Sequence, residues 1–234
     1  MIRFWKWLNG LYGWLMIVAF GFVMLIGIWQ VYDNYYLFSH TIDDSVLKYK
    51  PHPREDDAPV EEQVMKGMVA WITIDGTNID YPVMQADNNT YYLNIDPFGD
   101  YSLSGSIFLD CRCSSDLSDW YSMIYGHHMD YGKMFGALDE YLDEEYLRSH
   151  SRGTLIIGEN AEEVCELEIF ASMKVSSRER TVFDLDHVNI MRYIRDHAAV
   201  FTGEGEGRIL ALSTCLDAES SERIVAFCYV KATK

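Results

Sequence analysis

Three residues that lie far apart along the chain carry side chains suited to acyl transfer. Cys215 and His127 each end an apolar run, and Arg223 opens another. A thiolate is a nucleophile, an imidazole can carry a proton, and a guanidinium can stabilise an oxyanion. If the fold brings the three side chains together, their chemistry predicts an enzyme that holds an acyl group on a cysteine.

Several sequence motifs accompany these residues in order along the chain. They lie at residues 71–85, 89–94, 105–110, 125–128, 132–135 and 212–215. Together with Arg223, these motifs resemble the class B sortases, and the resemblance spans roughly residues 67–231. A set of ordered motifs is more specific than one short pattern, so the resemblance guides the predictions that follow.

The resemblance implies a role for each of the three residues. Cys215 is expected to be the nucleophile, and it needs a nearby base or cation because a free thiol with a pKa of about 8.5 is mostly protonated at neutral pH. His127 is expected to give a proton to the leaving amine and to take one from the incoming amine. Arg223 is expected to stabilise the tetrahedral oxyanion and to hold the substrate backbone.

Four further residues have two readings each. His128 is the alternative to His127 because adjacent strand residues face opposite sides, but the histidine of the family directly follows a glycine, which selects His127. Asp217 has two interpretations: it orients Arg223 or His127, or it is a solvated loop residue. Ser213 and Thr214 either shape the substrate pocket or satisfy local backbone groups.

Apolar or alternating runs separated by turn residues indicate a mostly β domain over residues 67–234. The predicted strands lie at residues 69–74, 105–109, 122–125, 154–157, 164–175, 208–213 and 223–230. Helical spacing predicts helices near residues 138–146 and over 186–201, the second with Asp186 as its N-cap and Gly203 at its end. The resemblance implies a closed sortase-type β-barrel of about eight mostly antiparallel strands with peripheral helices.

The N-terminal segment is typical of a transmembrane signal anchor. Residues 7–32 contain no charged side chain and are long enough to span a bilayer, which takes roughly 20 apolar residues. Arg3 and Lys6 precede this segment and Asp33 follows it, so residues 1–6 are expected in the cytoplasm and the chain after Asp33 outside the cell. A cleaved signal peptide is the alternative, but the apolar stretch is longer than a signal core and no small-residue cleavage site follows it.

Residues 33–66 are predicted to form an extracellular stalk, which leads into the catalytic domain at residues 67–234. The stalk mixes acidic residues with Pro51, Pro53 and Pro59, which interrupt regular structure. A short helix that leads into the domain is predicted over residues 60–66. Because class B sortases carry N-terminal helices before the barrel, the resemblance implies that part of the stalk packs on the domain.

Composition excludes some function classes. The 234 residues carry a net charge of −17, so the chain is unsuited to binding the phosphates of a nucleic acid. Five irregularly spaced cysteines do not form a disulfide framework. Cys111 and Cys113 lack the spacing of a metal site, and Cys165 and Cys228 lie in apolar runs typical of a core. No metal or cofactor is predicted.

The combined prediction is a membrane-anchored cysteine transpeptidase of a Gram-positive cell surface. By resemblance, it would cleave a sorting motif after Thr, hold the product as a thioacyl-enzyme and transfer it to an amine. The expected partners are surface proteins that bear a sorting signal, and a peptidoglycan precursor or cross-bridge amine. The alternatives are a pilin-polymerising sortase, a surface cysteine protease that mainly hydrolyses, and a catalytically silent binding module.

Overall fold

The computed structural model describes residues 2–39, 44–51, 65–215 and 221–233, without the side chains of residues 33–39, 44, 45 and 215. The chain forms two compact units, Met1–Asp43 and Asp44–Lys234. In the first unit, helix α1 (Ile2–Ser39) includes Ile2–Tyr32, which is long and apolar enough to cross a membrane. At about 1.5 Å per residue, this segment is longer than the roughly 30 Å of bilayer hydrocarbon.

One sheet dominates the described part of the second unit. Its strands are β1 (Met68–Ile74), β2 (Asp80–Met84), β3 (Ile107–Leu109), β4 (Tyr121–His127), β5 (Arg152–Ile157), β6 (Glu163–Ser176), β7 (Val200–Phe201), β8 (Arg208–Cys215) and β9 (Glu222–Ala232). The strand order is β5-β1-β2-β3-β4-β8-β9-β6-β7, and an additional pairing of β5 with β6 closes eight of the strands into a barrel. The predicted closed barrel of about eight strands is therefore confirmed.

Two parallel pairings interrupt the otherwise antiparallel barrel. They join β2 to β3 and β4 to β8. A parallel pair needs a long crossover connection, because both strands must enter from the same end. Between β4 and β8, this connection contains β5, β6, β7 and the helices α2 (Glu144–Ser149), α3 (Arg180–Phe183) and α4 (Ile190–His197).

The alternation of β6 shows why the sequence forms this barrel. Cys165, Leu167 and Ile169 are buried, whereas Glu166 and Glu168 between them are exposed, as the period-2 pattern predicts. The same strand hydrogen-bonds to β5 and to β9, so it closes the barrel, and its buried side chains help to fill the core.

The helical predictions were only partly correct. The segment near residues 138–146 forms a 3₁₀ helix, Gly136–Leu142, and then α2, because Asp143 interrupts the first helix and caps the second by accepting a hydrogen bond from the Tyr146 amide. Further short 3₁₀ helices lie at Asp44–Tyr49, Tyr91–Leu93 and Asp130–Gly132.

The predicted helix over residues 186–201 is shorter at both ends. Asp186 accepts hydrogen bonds from the amides of Val188 and Asn189 in a turn that precedes α4, and Val188, predicted on the apolar face, is 75% exposed. The chain leaves the helix after His197 because Val200 and Phe201 pair with β6 as strand β7. Tertiary strand pairing thus overrides local helical spacing.

Part of the segment predicted as a stalk packs on β1 and β2. Val46 is buried, and the Lys50 ammonium donates to Asp80 Oδ1 at 2.7 Å and to Thr73 Oγ1 at 2.8 Å. The helix predicted over residues 60–66 lies mostly outside the described residues. Met65, the first described residue after that gap, is buried.

Candidate active site

The parallel pairing of β4 with β8 brings two of the predicted site residues side by side. The register runs from Tyr121 opposite Ile209 to His127 opposite Cys215. Neighbouring strands lie about 4.8 Å apart, so the backbones of His127 and Cys215 are adjacent although the residues are far apart in sequence. Both residues end their strands, which places them at the rim of the barrel.

Gly126 allows the strand to carry His127 at this position. A Cβ atom at residue 126 would lie 2.4 Å from Ile107 Cδ1 and 2.8 Å from Phe135 Cδ2. Either distance is shorter than a carbon–carbon contact, which is optimal near 3.5–4.0 Å. The glycine before the histidine therefore has a packing reason, which the sequence motif alone does not reveal.

One nitrogen of His127 is held by the backbone. Its Nε2 lies 2.8 Å from the carbonyl oxygen of Leu93, and the amide of Phe135 donates to the His127 carbonyl at 3.0 Å. Because a carbonyl can only accept, Nε2 must carry a hydrogen in this arrangement. Nδ1 is then the nitrogen available for proton transfer, and the ring is oriented by a bond that needs no partner side chain.

Arg223 lies beside the backbone that leads to Cys215. It is the second residue of β9, opposite Val175 of β6, and its Nη1 donates to the Thr214 carbonyl at 3.4 Å. Its buried Nε has no hydrogen-bond partner among the described residues. The guanidinium lies over the ring of Phe183, 5.4 Å from the ring centroid. The arginine thus keeps hydrogen-bonding capacity close to the end of β8.

A cleft of about 380 Å³ opens at Arg223. Its lining combines apolar, aromatic and polar side chains: Asn89, Thr90, Leu93, Phe108, Tyr125, Ser177, Phe183 and Arg223. Ligand pockets commonly have volumes of roughly 300–1,000 Å³, so this cleft suits a few peptide residues. Leu93 links the cleft to His127 because its carbonyl oxygen accepts from the histidine ring.

The other candidate residues occupy less direct positions. The Ser213 hydroxyl is buried and donates to the Thr214 carbonyl at 3.2 Å, and the Thr214 hydroxyl accepts from the Ile224 amide at 3.2 Å. Both hydroxyls therefore serve nearby backbone groups. The His128 ring pairs with the Asp139 carboxylate at 2.8 Å. Asp217 lies outside the described residues.

Three of the other cysteines are held as thiols by burial. Burial raises the pKa of Cys113 to about 11, and burial and a hydrogen bond to Glu163 raise that of Cys165 to about 11. Cys228 is fully buried, and its pKa is also raised. The described residues contain no group of three or more His, Cys, Asp or Glu side chains able to hold a metal ion.

Sequence reasoning missed two contacts of the candidate site. The Leu93 carbonyl orients His127, and Phe183 covers Arg223. Leu93 lies within the motif at residues 89–94, but no property of a leucine indicates a backbone contact. Phe183 lies in α3, which the sequence did not predict, and its contact with Arg223 joins residues 40 positions apart.

Comparison with known proteins identifies the family. The sortase domain model matches residues 72–231. Sortase B of Staphylococcus aureus is 29% identical over 202 residues, which cover 82% of this chain and 81% of the relative. Sortase B of Listeria monocytogenes is 34% identical over 163 residues, which cover 66% of this chain and 65% of the relative.

Solved structures agree with these sequence matches. A Staphylococcus aureus sortase B–substrate complex has a TM-score of 0.66 and 26% identity, and the match covers 74% of this chain and 83% of that chain. Sortase B of Bacillus anthracis in complex with AAEK1 has a TM-score of 0.69 and 26% identity, and the match covers 86% of this chain and 100% of that chain.

A third structure comes from another organism. It is a Streptococcus pyogenes class B sortase involved in pilus biogenesis. It has a TM-score of 0.66 and 28% identity, and the match covers 82% of this chain and 100% of that chain. Taken with the barrel and its rim, these matches show that the chain belongs to the sortase family of cysteine transpeptidases, and within that family to class B.

Proposed function

We propose that this chain is a membrane-anchored transpeptidase that cleaves a sorting motif after Thr and transfers the acyl product from Cys215 to a cell-wall amine. The single observation that carries the proposal is the register of β4 and β8, which pairs His127 with Cys215 at the barrel rim. The hydrogen bond from Arg223 to the Thr214 carbonyl brings the third residue to the same end of β8.

The proposed acylation step begins with the thiolate of Cys215 and an imidazolium at His127. The sulfur attacks the Thr carbonyl carbon of the donor peptide, and the carbonyl oxygen becomes an oxyanion that the Arg223 guanidinium stabilises. The C–N bond then breaks, and His127 donates its Nδ1 proton to the departing amine. The products are a thioester on Cys215 and the free C-terminal fragment.

The proposed transfer step runs in the opposite sense. The acceptor amine attacks the thioester carbon, His127 takes the proton that the amine loses, and the C–S bond breaks to release Cys215 as a thiolate. The Leu93 carbonyl holds Nε2–H throughout, so that Nδ1 is the nitrogen that exchanges the proton in both steps.

The acceptor separates this proposal from its rivals. A peptidoglycan amine makes the chain a cell-wall anchoring enzyme, whereas a pilin lysine makes it a polymerising one, as the pilus-related relative in Streptococcus pyogenes suggests. If water is the acceptor, the chain is a protease. The pairing of His127 with Cys215 is the same whether the acceptor is a peptidoglycan amine, a pilin lysine or water. The acceptor must therefore be found by experiment.

The test uses the full chain in detergent with peptides that contain candidate sorting motifs. Mass spectrometry of the products, with and without oligoglycine or diaminopimelate-containing amines, distinguishes ligation from hydrolysis. We expect a ligated product that Cys215→Ala abolishes and that Cys111→Ser, the matched cysteine control, retains. Complete cleavage of the peptide by the Cys215→Ala variant would show that Cys215 is not the nucleophile. Hydrolysis without a ligated product, whichever amine is added, would favour the protease.

A further inference from the structure

We infer that Arg112 is a positioning residue for Arg223 and that it acts through Phe183. The inference rests on the proposed role of Arg223 in stabilising the oxyanion. It concerns a set of hydrogen bonds that connects the loop after β3 with helix α3 and, through the Phe183 ring, with the guanidinium at the cleft.

The inner end of this connection is an ion pair between Asp110 and Arg112, whose side chain is 46% exposed. Asp110 follows β3, and its side chain is fully buried. Arg112 donates from Nε to Oδ1 at 2.9 Å and from Nη2 to Oδ2 at 2.7 Å, and Tyr125 of β4 donates its hydroxyl to Oδ2 at 3.0 Å. Two parallel bonds fix the plane of a guanidinium, so Arg112 has a defined orientation.

The outer end of the connection is helix α3. The same Nη2 of Arg112 donates to the Phe183 carbonyl at 2.6 Å, and the Tyr121 hydroxyl donates to the Val182 carbonyl at 3.0 Å. The last carbonyls of a helix have no partner inside it, and a single turn is unstable alone. Arg112 and Tyr121 satisfy two of these carbonyls and so attach the end of α3 to the barrel.

Phe183 then transmits this attachment to Arg223. Its ring lies 5.4 Å from the Arg223 guanidinium carbon, which is within the range of a cation–π contact. The hydrogen bond from Arg223 to Thr214 is long, at 3.4 Å, and Nε has no partner within the described chain. The aromatic contact is therefore a main restraint on the guanidinium, and an unattached α3 would leave Arg223 less well oriented.

The loop that carries Arg112 has its own support. Gln85 donates its side-chain amide to the carbonyls of Asp110 and Cys113, and the Cys113 amide donates to the Asp110 carbonyl. Loss of the Arg112 side chain is therefore expected to leave the loop in place. It does leave a buried carboxylate, so the variant pair Arg112→Met and Asp110→Asn/Arg112→Met separates a charge effect from a positioning effect.

The test is a double-mutant cycle between Arg112 and Arg223, measured on acylation of the full-length enzyme by a donor peptide. In the wild-type background, Arg112→Met should lower kcat/KM about tenfold to a hundredfold, because the oxyanion donor is misoriented but not removed. In an Arg223→Lys background, the same change should cost less than about twofold, because the residue through which Arg112 acts has already been replaced. The double variant Asp110→Asn/Arg112→Met should follow the same pattern.

Three controls exclude a general loss of structure. Arg180→Met removes an exposed arginine of helix α3, which pairs with Asp184. This change should leave kcat/KM unchanged. Phe183→Leu should reproduce the loss seen with Arg112→Met, and the two together should cost little more than either. The rate at which iodoacetamide alkylates Cys215 should stay within about twofold of wild type in every variant, because that reaction forms no oxyanion.

The outcomes separate this inference from the proposed function. If the wild-type chain cannot be acylated at Cys215, the function and the inference both fail. If the wild type is acylated and Arg112→Met lowers kcat/KM by the same factor in both backgrounds, the proposed function stands and the positioning role is refuted. A large loss in the wild-type background with little loss in the Arg223→Lys background supports the inference, and the reverse pattern refutes it.

Discussion

At the scale of single residues, the chemistry depends on which thiol is reactive. Burial raises the pKa of Cys113 and Cys165 to about 11 and also raises that of Cys228. At pH 7 these three groups are therefore protonated and poorly nucleophilic. We expect iodoacetamide at pH 7 to alkylate Cys215 in the folded chain and to spare these three, as checked by peptide mapping. Labelling of Cys113 as fast as Cys215 would contradict the assignment of Cys215 as the reactive thiol.

Gly126 gives a second prediction at this scale. Gly126→Ala should destabilise the fold by about 1–3 kcal/mol, because the new methyl group overlaps Ile107 and Phe135. It should also lower acylation, since the strand must shift directly before His127. Urea unfolding measures the first effect and donor-peptide kinetics the second. Adding Ile107→Val removes the atom 2.4 Å away and should recover part of the stability, whereas purely additive losses would contradict the steric explanation.

At the scale of elements, the ion pair between Asp110 and Arg112 in the β3–β4 loop predicts a pH dependence, and Arg112 also holds the end of α3. Burial raises the pKa of Asp110, but hydrogen bonds from Arg112 and Tyr125 outweigh burial, and the net pKa lies below its ordinary value. A carboxyl with a lowered pKa stabilises the folded state above the unfolded pKa of about 3.9, and this stability is lost as pH falls through the folded pKa.

Asp110→Asn tests this pH dependence. At pH 7 it should lower the free energy of unfolding by about 2–3 kcal/mol, because hydrogen bonds to a charged group are lost. The difference from wild type should begin to shrink below about pH 4, where the carboxyl of the unfolded chain becomes protonated, and should shrink further as the pH falls through the lower folded pKa. Urea unfolding at several pH values measures this difference in the free energy of unfolding, with Asp184→Asn as an exposed control. A difference that does not change with pH would argue against the ion pair as its source.

The elements also show what the sequence can and cannot reveal. The alternation of Cys165, Leu167 and Ile169 with two glutamates predicts β6, because period 2 is a local property. The same reasoning fails at residues 198–201, where pairing with β6 turns an expected helix end into β7. The strands that carry His127 and Arg223 were predictable, but the register that pairs His127 with Cys215 depends on a long crossover. The Phe183 and Leu93 contacts depend on the same tertiary arrangement.

At the scale of the whole molecule, the helical segment Ile2–Tyr32 predicts membrane association. We expect the full chain to sediment with membranes and to resist extraction by high salt, because apolar burial is insensitive to charge screening. A chain that lacks residues 2–32 should be recovered in the supernatant. Recovery of full-length chain in the supernatant, or a mature N-terminus beyond Gln30, would contradict an uncleaved anchor.

The orientation across the membrane follows from the charges that flank the segment. Arg3 and Lys6 precede it, so the catalytic unit is expected on the outer face. Protease added to intact cells should therefore degrade the catalytic unit, and a cysteine introduced at residue 2 should resist a membrane-impermeant maleimide. The opposite labelling pattern would place the enzyme on the wrong side of the membrane for transfer to a cell-wall amine.

We propose that the sulfur of residue 215, the imidazole of residue 127 and the guanidinium of residue 223 act on one acyl group. The most direct measurement is tandem mass spectrometry of the full chain after brief exposure to a sorting-motif peptide without an amine. We predict one added acyl mass, ending in Thr and located on Cys215, with its rate of formation reduced at least about 100-fold in His127→Ala and in Arg223→Ala. An acyl group on another residue, or an unchanged rate in either variant, would contradict this shared role of the three side chains.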